Sequence, residues 1–240
     1  MLRKAMKGLG TDEASIINIL ANRTNDQRQK IMLAFKQAYG KDLTDELKSE
    51  LGGKFERVVL AMMLPTTELL ADHLHEAMKG VGTNEDTLVE ILCTRNNKEI
   101  NELKSVYEQK YGEEKVGTDE SEFNRILSCY SYNLLRYVFY EYEKIKGKSL
   151  IDAIKSEFSG DIQNGLIAVI SSIENRPQFF AKCLHDAMKG AGTKDDVLIR
   201  LIVTRAEIDL GTIKQEYEKL YGESLESHIK VRYVELYVFC

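Results

Sequence analysis

Apolar residues recur along this chain at spacings of three and four, which is the pattern of helices with one buried face. One such helix carries Ile16, Ile19 and Leu20. The same three positions return later as Leu88, Ile91 and Leu92, as Phe123, Ile126 and Leu127, and as Leu198, Leu201 and Ile202. Only two prolines interrupt the 240 residues. We therefore predict an all-α protein that is built from repeated groups of short amphipathic helices.

The ends of these helices are marked by residue type. A glycine after the last turn is a common helix stop, and it follows a tyrosine at Tyr39-Gly40, Tyr111-Gly112 and Tyr221-Gly222. In the first repeat the pattern predicts helices over 2–7, 41–50 and 54–64, with Thr11 as the N-cap of the second helix. Pro65 closes this repeat, which gives a unit of about five short helices.

A glycine-rich loop separates the first two helices of a unit. Its copies are Met6-Lys7-Gly8-Leu9-Gly10-Thr11, Met78-Lys79-Gly80-Val81-Gly82-Thr83, Met188-Lys189-Gly190-Ala191-Gly192-Thr193 and the shorter Lys115-Val116-Gly117-Thr118. Two glycines that are one residue apart allow the backbone to curl tightly, so several carbonyl oxygens can point toward one place. A plain turn between helices is the alternative interpretation, and the fourfold recurrence argues against it.

The composition of the loop narrows the chemistry. It contains no Cys or His, which disfavours zinc, and it lacks the Gly-Lys-Ser/Thr ending of a phosphate-binding loop. It also lacks the spacing of an EF-hand. Backbone carbonyls together with a carboxylate are the ligands that Ca²⁺ takes, so a carboxylate from elsewhere in the chain is needed.

Two glutamates stand at the same distance from a loop. Glu50 follows Gly10 by forty residues and Glu157 follows Gly117 by forty, each within a Lys-Ser-Glu sequence. The position forty residues after Gly192 is Arg232, which is a cation. Glu122 stands forty residues after Gly82, but it lies just past Gly117, and we interpret this spacing as a coincidence.

Charge and cysteine content exclude several classes of function. A formal net charge of −5 argues against a nucleic-acid-binding surface. The four cysteines show no paired or metal-binding spacing, as expected for reduced thiols in the cytosol. The longest apolar run, 58–64, is too short to span a bilayer, and the first residues predict a helix rather than a signal peptide. The four histidines belong to no recognisable catalytic motif.

The Lys-Gly-x-Gly-Thr loops, the Tyr-Gly stops and the Lys-Ser-Glu sequences together resemble the annexins, and most closely their annexin V type. The resemblance covers nearly all of residues 1–231. It implies all-α repeats that each form a five-helix bundle, no enzymatic chemistry, and a cytoplasmic protein. Such a protein attaches peripherally to the plasma membrane or to vesicles when Ca²⁺ rises. The implied partners are anionic phospholipid membranes of the phosphatidylserine type, and self-association on them is left open.

The resemblance also implies the metal ligands. The first site would combine the carbonyls of Met6, Gly8 and Gly10 with the carboxylate of Glu50. The third site in chain order, at the shorter loop, would combine the carbonyls of Gly112, Lys115 and Gly117 with the carboxylate of Glu157. Two further loops match the family without a matching acid; they contribute Met78, Gly80 and Gly82, and Met188, Gly190 and Gly192.

The spacing of the loops predicts a shortened chain. Gly10 and Gly82 are 72 residues apart, and Gly117 and Gly192 are 75 apart, whereas Gly82 and Gly117 are only 35 apart. We expect repeat 1 over 1–68, the first half of repeat 2 over 69–112, the second half of repeat 3 over 113–175, and a truncated repeat 4 over 176–240. The two halves pack into one hybrid unit in one interpretation. A metal-independent helical scaffold that binds protein partners is the alternative function.

Overall fold

The computed structural model describes residues 2–7, 10–79, 84–112, 132–190 and 192–232. Within these ranges the regular structure is α-helical, as predicted. The helices are α1 (Leu2–Ala5), α2 (Glu13–Leu20), α3 (Asn25–Tyr39), α4 (Leu43–Glu50), α5 (Gly53–Met63), α6 (Thr66–Met78), α7 (Glu85–Cys93), α8 (Asn97–Tyr111), α9 (Tyr132–Lys146), α10 (Leu150–Glu157), α11 (Gly160–Met188), α12 (Asp195–Arg205), α13 (Leu210–Tyr221) and α14 (Leu225–Arg232).

The chain divides into two compact units. The first contains Met1–Leu69 and Phe180–Cys240, and its core includes Ile16, Leu20 and Leu47. Helix α5 packs against α12 within this unit. Lys54 of α5 pairs with Asp195 across this contact at 3.2 Å, and Arg57 pairs with Asp195 and Asp196. The unit therefore joins the beginning of the chain to its later part.

The second unit contains Leu70–Phe179. One cluster of buried side chains gathers α6, α7 and α8 around Leu74, Ile91 and Tyr107. Another gathers α9, α10 and α11 around residues such as Phe139 and Ile170. The Ser172 hydroxyl of α11 donates a hydrogen bond to the Cys93 carbonyl of α7 at 2.9 Å, so the two groups of helices meet within this unit.

Helix ends differ from the predicted ones by one or two residues. Helix α1 ends at Ala5 rather than at residue 7, α4 begins at Leu43 rather than at 41, and α5 covers Gly53–Met63 rather than 54–64. Helix α11 is interrupted at Asn175, which has non-helical angles of φ −150° and ψ 89°. The Asn175 side chain accepts the backbone N–H of Gln178 at 3.1 Å and so caps the part that follows. None of the helices in the described ranges is long and apolar enough to cross a membrane.

Candidate functional site

Three of the glycine-rich loops are closed by the same backbone hydrogen bond. The N–H of Asp12 donates to the carbonyl of Ala5 at 2.9 Å, which joins the end of α1 to the start of α2. The N–H of Asn84 donates to Ala77, and that of Lys194 to Ala187, each at 2.8 Å. Both ends of each loop are thus held at a fixed separation, and the equivalent sequences adopt equivalent closures.

Glycine is required where the described parts of these loops curl. Gly10 has φ +86°, and Gly190 and Gly192 have φ +95° and +113°. Other residues rarely adopt these angles, because their Cβ would crowd the backbone. The methionine before each loop anchors it, since the Met6 and Met188 side chains are buried and Met78 packs against the α6–α8 cluster. Gly8, Gly80 and Gly82 lie outside the described residues.

A side-chain hydrogen bond joins the first loop to its predicted acid. The hydroxyl of Thr11 donates to the backbone carbonyl of Glu50 at 3.0 Å. This contact places the C-terminal end of α4 directly beside the residue that follows Gly10. The side chain of Glu50 is exposed, so its carboxylate is accessible to a ligand that also contacts the loop.

Thr11 therefore does not act as the N-cap of α2, and that prediction was wrong. The cap is Asp12, whose carboxylate accepts the backbone N–H of Ser15 at 3.0 Å and its hydroxyl at 2.7 Å. These two hydrogen bonds hold the pKa of Asp12 below its ordinary value. The Asp12-x-x-Ser15 spacing in the sequence indicates that Asp12 is the cap. Because Asp12 caps the helix, the hydroxyl of Thr11 is available to bind the Glu50 carbonyl.

The two predicted acids end equivalent helices. Glu50 is the last residue of α4, and Glu157 is the last residue of α10, and both helices have eight residues. The residue after each acid closes the last turn of the helix. The N–H of Leu51 donates to the Leu47 carbonyl, and the N–H of Phe158 donates to the Ile154 carbonyl, each at 2.9 Å. Arg232 is the last described residue of α14, and in the sequence it gives the fourth loop a cation at the position of the acid.

The residues around the first loop fit a hard cation. In the described part of the chain, no group of three or more His, Cys, Asp or Glu side chains is placed to hold a metal ion. A site in which one carboxylate is combined with main-chain oxygens is of a different kind, and it matches the preference of Ca²⁺ for oxygen. Glu50 and Gly10 are both exposed and are connected through Thr11, so both are accessible to a ligand from solvent.

The other predicted sites are described only in part. Gly112 follows α8 with φ +82°, and Glu157 is exposed at the end of α10. Lys115 and Gly117 lie outside the described residues, so the distance from Glu157 to this loop stays untested. Of the predicted ligands in the second loop, Met78 alone lies within the described ranges.

Comparison with known proteins decides the family. The annexin family model matches four segments of the chain, residues 1–62, 70–114, 112–169 and 179–233. The chain belongs to the annexin family. Annexins are known for calcium-dependent binding to phospholipid, and the repeated loops and the acids that end α4 and α10 are this annexin's candidates for that role.

Known annexins match almost the whole chain. It is 41% identical over 279 residues to annexin B10 of Drosophila melanogaster, with 95% of this chain and 87% of the relative covered. It is 41% identical over 278 residues to human annexin A7, with 95% of this chain but only 57% of the relative covered. A solved structure described as calcium-bound annexin (Sm)1 matches with a TM-score of 0.88 and 33% identity, over 100% of this chain and 87% of the other.

The same comparison reveals the internal shortening. The alignment with annexin B10 runs over 279 residues, although this chain contributes 95% of its 240. About 50 positions of the relative therefore have no counterpart here. The two inner segments matched by the family model meet at residues 112–114, next to Gly112, where the loop spacing also shortens.

Proposed function

We propose that this annexin binds anionic phospholipid membranes, of the phosphatidylserine type, when Ca²⁺ is present. The observation that carries the proposal is the hydrogen bond from the Thr11 hydroxyl to the Glu50 carbonyl. It holds the main chain of Glu50 beside the residue that follows Gly10, in a loop whose composition favours carbonyl coordination. The family and its calcium-bound solved relative support the same cation.

The first and third loops are the proposed metal sites. Main-chain oxygens of Met6, Gly8 and Gly10 would combine with the carboxylate of Glu50. The carbonyls of Gly112, Lys115 and Gly117 would combine with that of Glu157. When bound, Ca²⁺ supplies a concentrated positive charge with coordination positions left for a lipid phosphate.

The second and fourth loops are proposed as weaker sites. Met78, Gly80 and Gly82 lack a matching acid. Met188, Gly190 and Gly192 have Arg232 at the corresponding position in sequence. Without the carboxylate, carbonyls alone leave more of the cation's charge unbalanced, so we expect these two loops to contribute less to binding.

The charge of the protein explains why a cation is needed. A chain with a formal net charge of −5 is repelled by an anionic leaflet. Lys7, Lys79 and Lys189 are exposed at the loops, where they would meet the lipid headgroups. We infer a cytoplasmic protein that attaches peripherally to the plasma membrane or to vesicle surfaces, without enzymatic activity and without nucleic acid as a partner.

Vesicle sedimentation tests the proposal. The full chain is mixed with vesicles of phosphatidylserine and phosphatidylcholine in Ca²⁺, in Mg²⁺, or in chelator. We expect sedimentation in Ca²⁺ and release on chelation, with phosphatidylcholine vesicles and Mg²⁺ as negative controls. Equal sedimentation in chelator and in Ca²⁺ would reject the calcium-dependent mechanism.

A metal-independent scaffold for protein partners is the second candidate function. The apolar side chains exposed on α9 favour it, because Tyr137, Val138 and Tyr140 are each at least half exposed. Calorimetry separates the two candidates. The membrane proposal predicts weak heat with Ca²⁺ alone and a much tighter response when vesicles are present, because each ligand strengthens binding of the other. No response in either titration favours the scaffold.

A further inference from the structure

The turn after α10 has the same backbone as the turn after α4. Phe158 has φ −122° and ψ 162°, close to the −103° and 167° of Leu51. Gly160 has φ +65°, close to the +61° of Gly53. The two turns therefore correspond residue by residue, so that Phe158 matches Leu51 and, four positions later, Ile162 matches Phe55.

The corresponding side chains differ sharply in exposure. Phe55 is 3% exposed in the core of the first unit, whereas Ile162 is 65% exposed. Leu51 is partly buried, whereas Phe158 is 46% exposed. Two large apolar side chains are thus exposed to solvent within the five residues that follow Glu157. Clustered exposed apolar residues commonly mark a surface that contacts a membrane or another protein.

The polar neighbours of this pair favour a membrane. The ammonium group of Lys148 donates to the Ser156 hydroxyl at 3.3 Å, and Lys155 is exposed one turn earlier. Lys155 thus precedes Phe158 by three residues, and Lys148 contacts the side chain of Ser156, which precedes it by two. Aromatic and aliphatic side chains with adjacent lysines are typical of segments at a bilayer interface, and the lysines are attracted to anionic lipids.

We propose that Phe158 and Ile162 enter the apolar edge of an anionic bilayer when the turn at Glu157 approaches it. This inference rests on the proposed function, because Glu157 belongs to one of the two turns assigned to membrane binding. The insertion of Phe158 and Ile162 adds direct contact with the apolar part of the bilayer, which the metal-bridged contact with the headgroups does not provide. The corresponding position after α4 cannot make this contact, since Phe55 is buried in the core of the first unit.

Fluorescence tests the insertion directly, because the chain contains no Trp. Phe158→Trp introduces a single reporter in the full chain. With vesicles of phosphatidylserine and phosphatidylcholine in Ca²⁺, we expect its emission to move to shorter wavelength. Lipids with brominated acyl chains should quench it, and chelator should reverse both effects. Tyr140→Trp is the matched control, since Tyr140 is 56% exposed in the same unit but lies on α9.

The outcomes separate the inference from the proposed function. Sedimentation of Phe158→Trp with vesicles, without a spectral shift or quenching, overturns the inference and leaves the proposed function standing. Equal shifts in both tryptophan variants overturn the assignment to this turn. Failure of the unmodified chain to sediment removes the proposed function, and the inference with it.

A second pair of variants measures how much Phe158 and Ile162 contribute to the affinity for vesicles. Phe158→Ser with Ile162→Ser replaces two exposed side chains, so the fold should be retained, as circular dichroism would verify. We expect vesicle affinity in Ca²⁺ to fall about tenfold or more, given the apolar area that leaves water. Leu33→Ser is the control, because Leu33 is 58% exposed on α3 in the other unit. Unchanged affinity in the double variant overturns the inference.

Discussion

At the scale of single residues, one hydroxyl group connects the loop to its acid. The Thr11 hydroxyl donates to the Glu50 carbonyl and does not accept a backbone N–H at the start of its own helix, where Asp12 is the cap. The fourth loop has the same threonine, but Thr193 donates to Asp195 two residues later at 2.8 Å. The same residue type therefore connects distant segments in one loop and stays local in another.

Thr11→Val tests this connection. It removes the hydrogen bond to the Glu50 carbonyl at nearly constant volume, so the end of α4 is less firmly held beside Gly10. We expect several times more Ca²⁺ to be needed for half-maximal sedimentation with phosphatidylserine vesicles, and a loss of only about 1 kcal/mol in the free energy of unfolding. Thr193→Val is the control and should leave the Ca²⁺ requirement unchanged. Equal effects of the two substitutions would contradict the role of Thr11.

At the scale of helices, a buried arginine organises the first unit. Arg28 of α3 is 4% exposed, and its guanidinium donates to the carbonyls of Met62 at 2.8 Å and Leu20 at 3.2 Å. It also pairs with Glu207 at 3.0 Å. Burial lowers the pKa of Arg28, and Glu207 opposes that effect. One side chain thus ties α2, α3 and α5 to the segment before α13.

Arg28→Met should destabilise this unit. The substitution keeps much of the apolar stem but removes the side-chain donor to the Met62 and Leu20 carbonyls and the ion pair with Glu207. We expect a loss of about 2–4 kcal/mol in the free energy of unfolding, as measured by urea denaturation. Arg23→Met is the comparison, because Arg23 is exposed and donates to the adjacent Asn22 carbonyl at 2.8 Å. Similar losses in the two variants would show that Arg28 does not have this role.

The sequence predicted the helices better than their tertiary contacts. Periodic apolar residues and the Tyr-Gly stops identified most helices, because these signals are local. Gly40 and Gly222 indeed end α3 and α13 in the left-handed conformation. Arg28 and Thr11 were missed as contacts because their partners are distant in sequence. Glu50 was singled out despite its distance, because the repeat shows the same spacing twice, and its role as a metal ligand stays a prediction.

At the scale of the whole molecule, the prediction of two incomplete repeats at the centre raises the question of how they fold. We propose that the halves predicted over 69–112 and 113–175 form one hybrid unit. The compact unit Leu70–Phe179 supports this, as does the hydrogen bond from Ser172 to the Cys93 carbonyl. Each half supplies one of the two buried clusters, and the contact at Cys93 joins them.

The reactivity of Cys93 tests the hybrid unit. Burial raises the pKa of the Cys93 thiol to about 11, so roughly one molecule in a thousand carries the thiolate at pH 8. We expect iodoacetamide to modify Cys93 far more slowly in the folded chain than in urea, as followed by peptide mass spectrometry. Ser172→Ala should accelerate the reaction by loosening the contact with α11. Equal rates in folded and unfolded protein would be incompatible with a packed hybrid unit.

The most direct test of the account is the Ca²⁺ dependence of vesicle binding when the two acids lose their charge. Glu50→Gln combined with Glu157→Gln preserves shape at the ends of α4 and α10. We predict that the Ca²⁺-dependent sedimentation with phosphatidylserine vesicles is abolished while the circular dichroism spectrum is unchanged. The control combines Glu46→Gln with Glu143→Gln, which removes the same charge elsewhere on α4 and on α9, and it should sediment like the unmodified chain. Sedimentation of the Glu50/Glu157 variant at the original Ca²⁺ concentration would contradict the account.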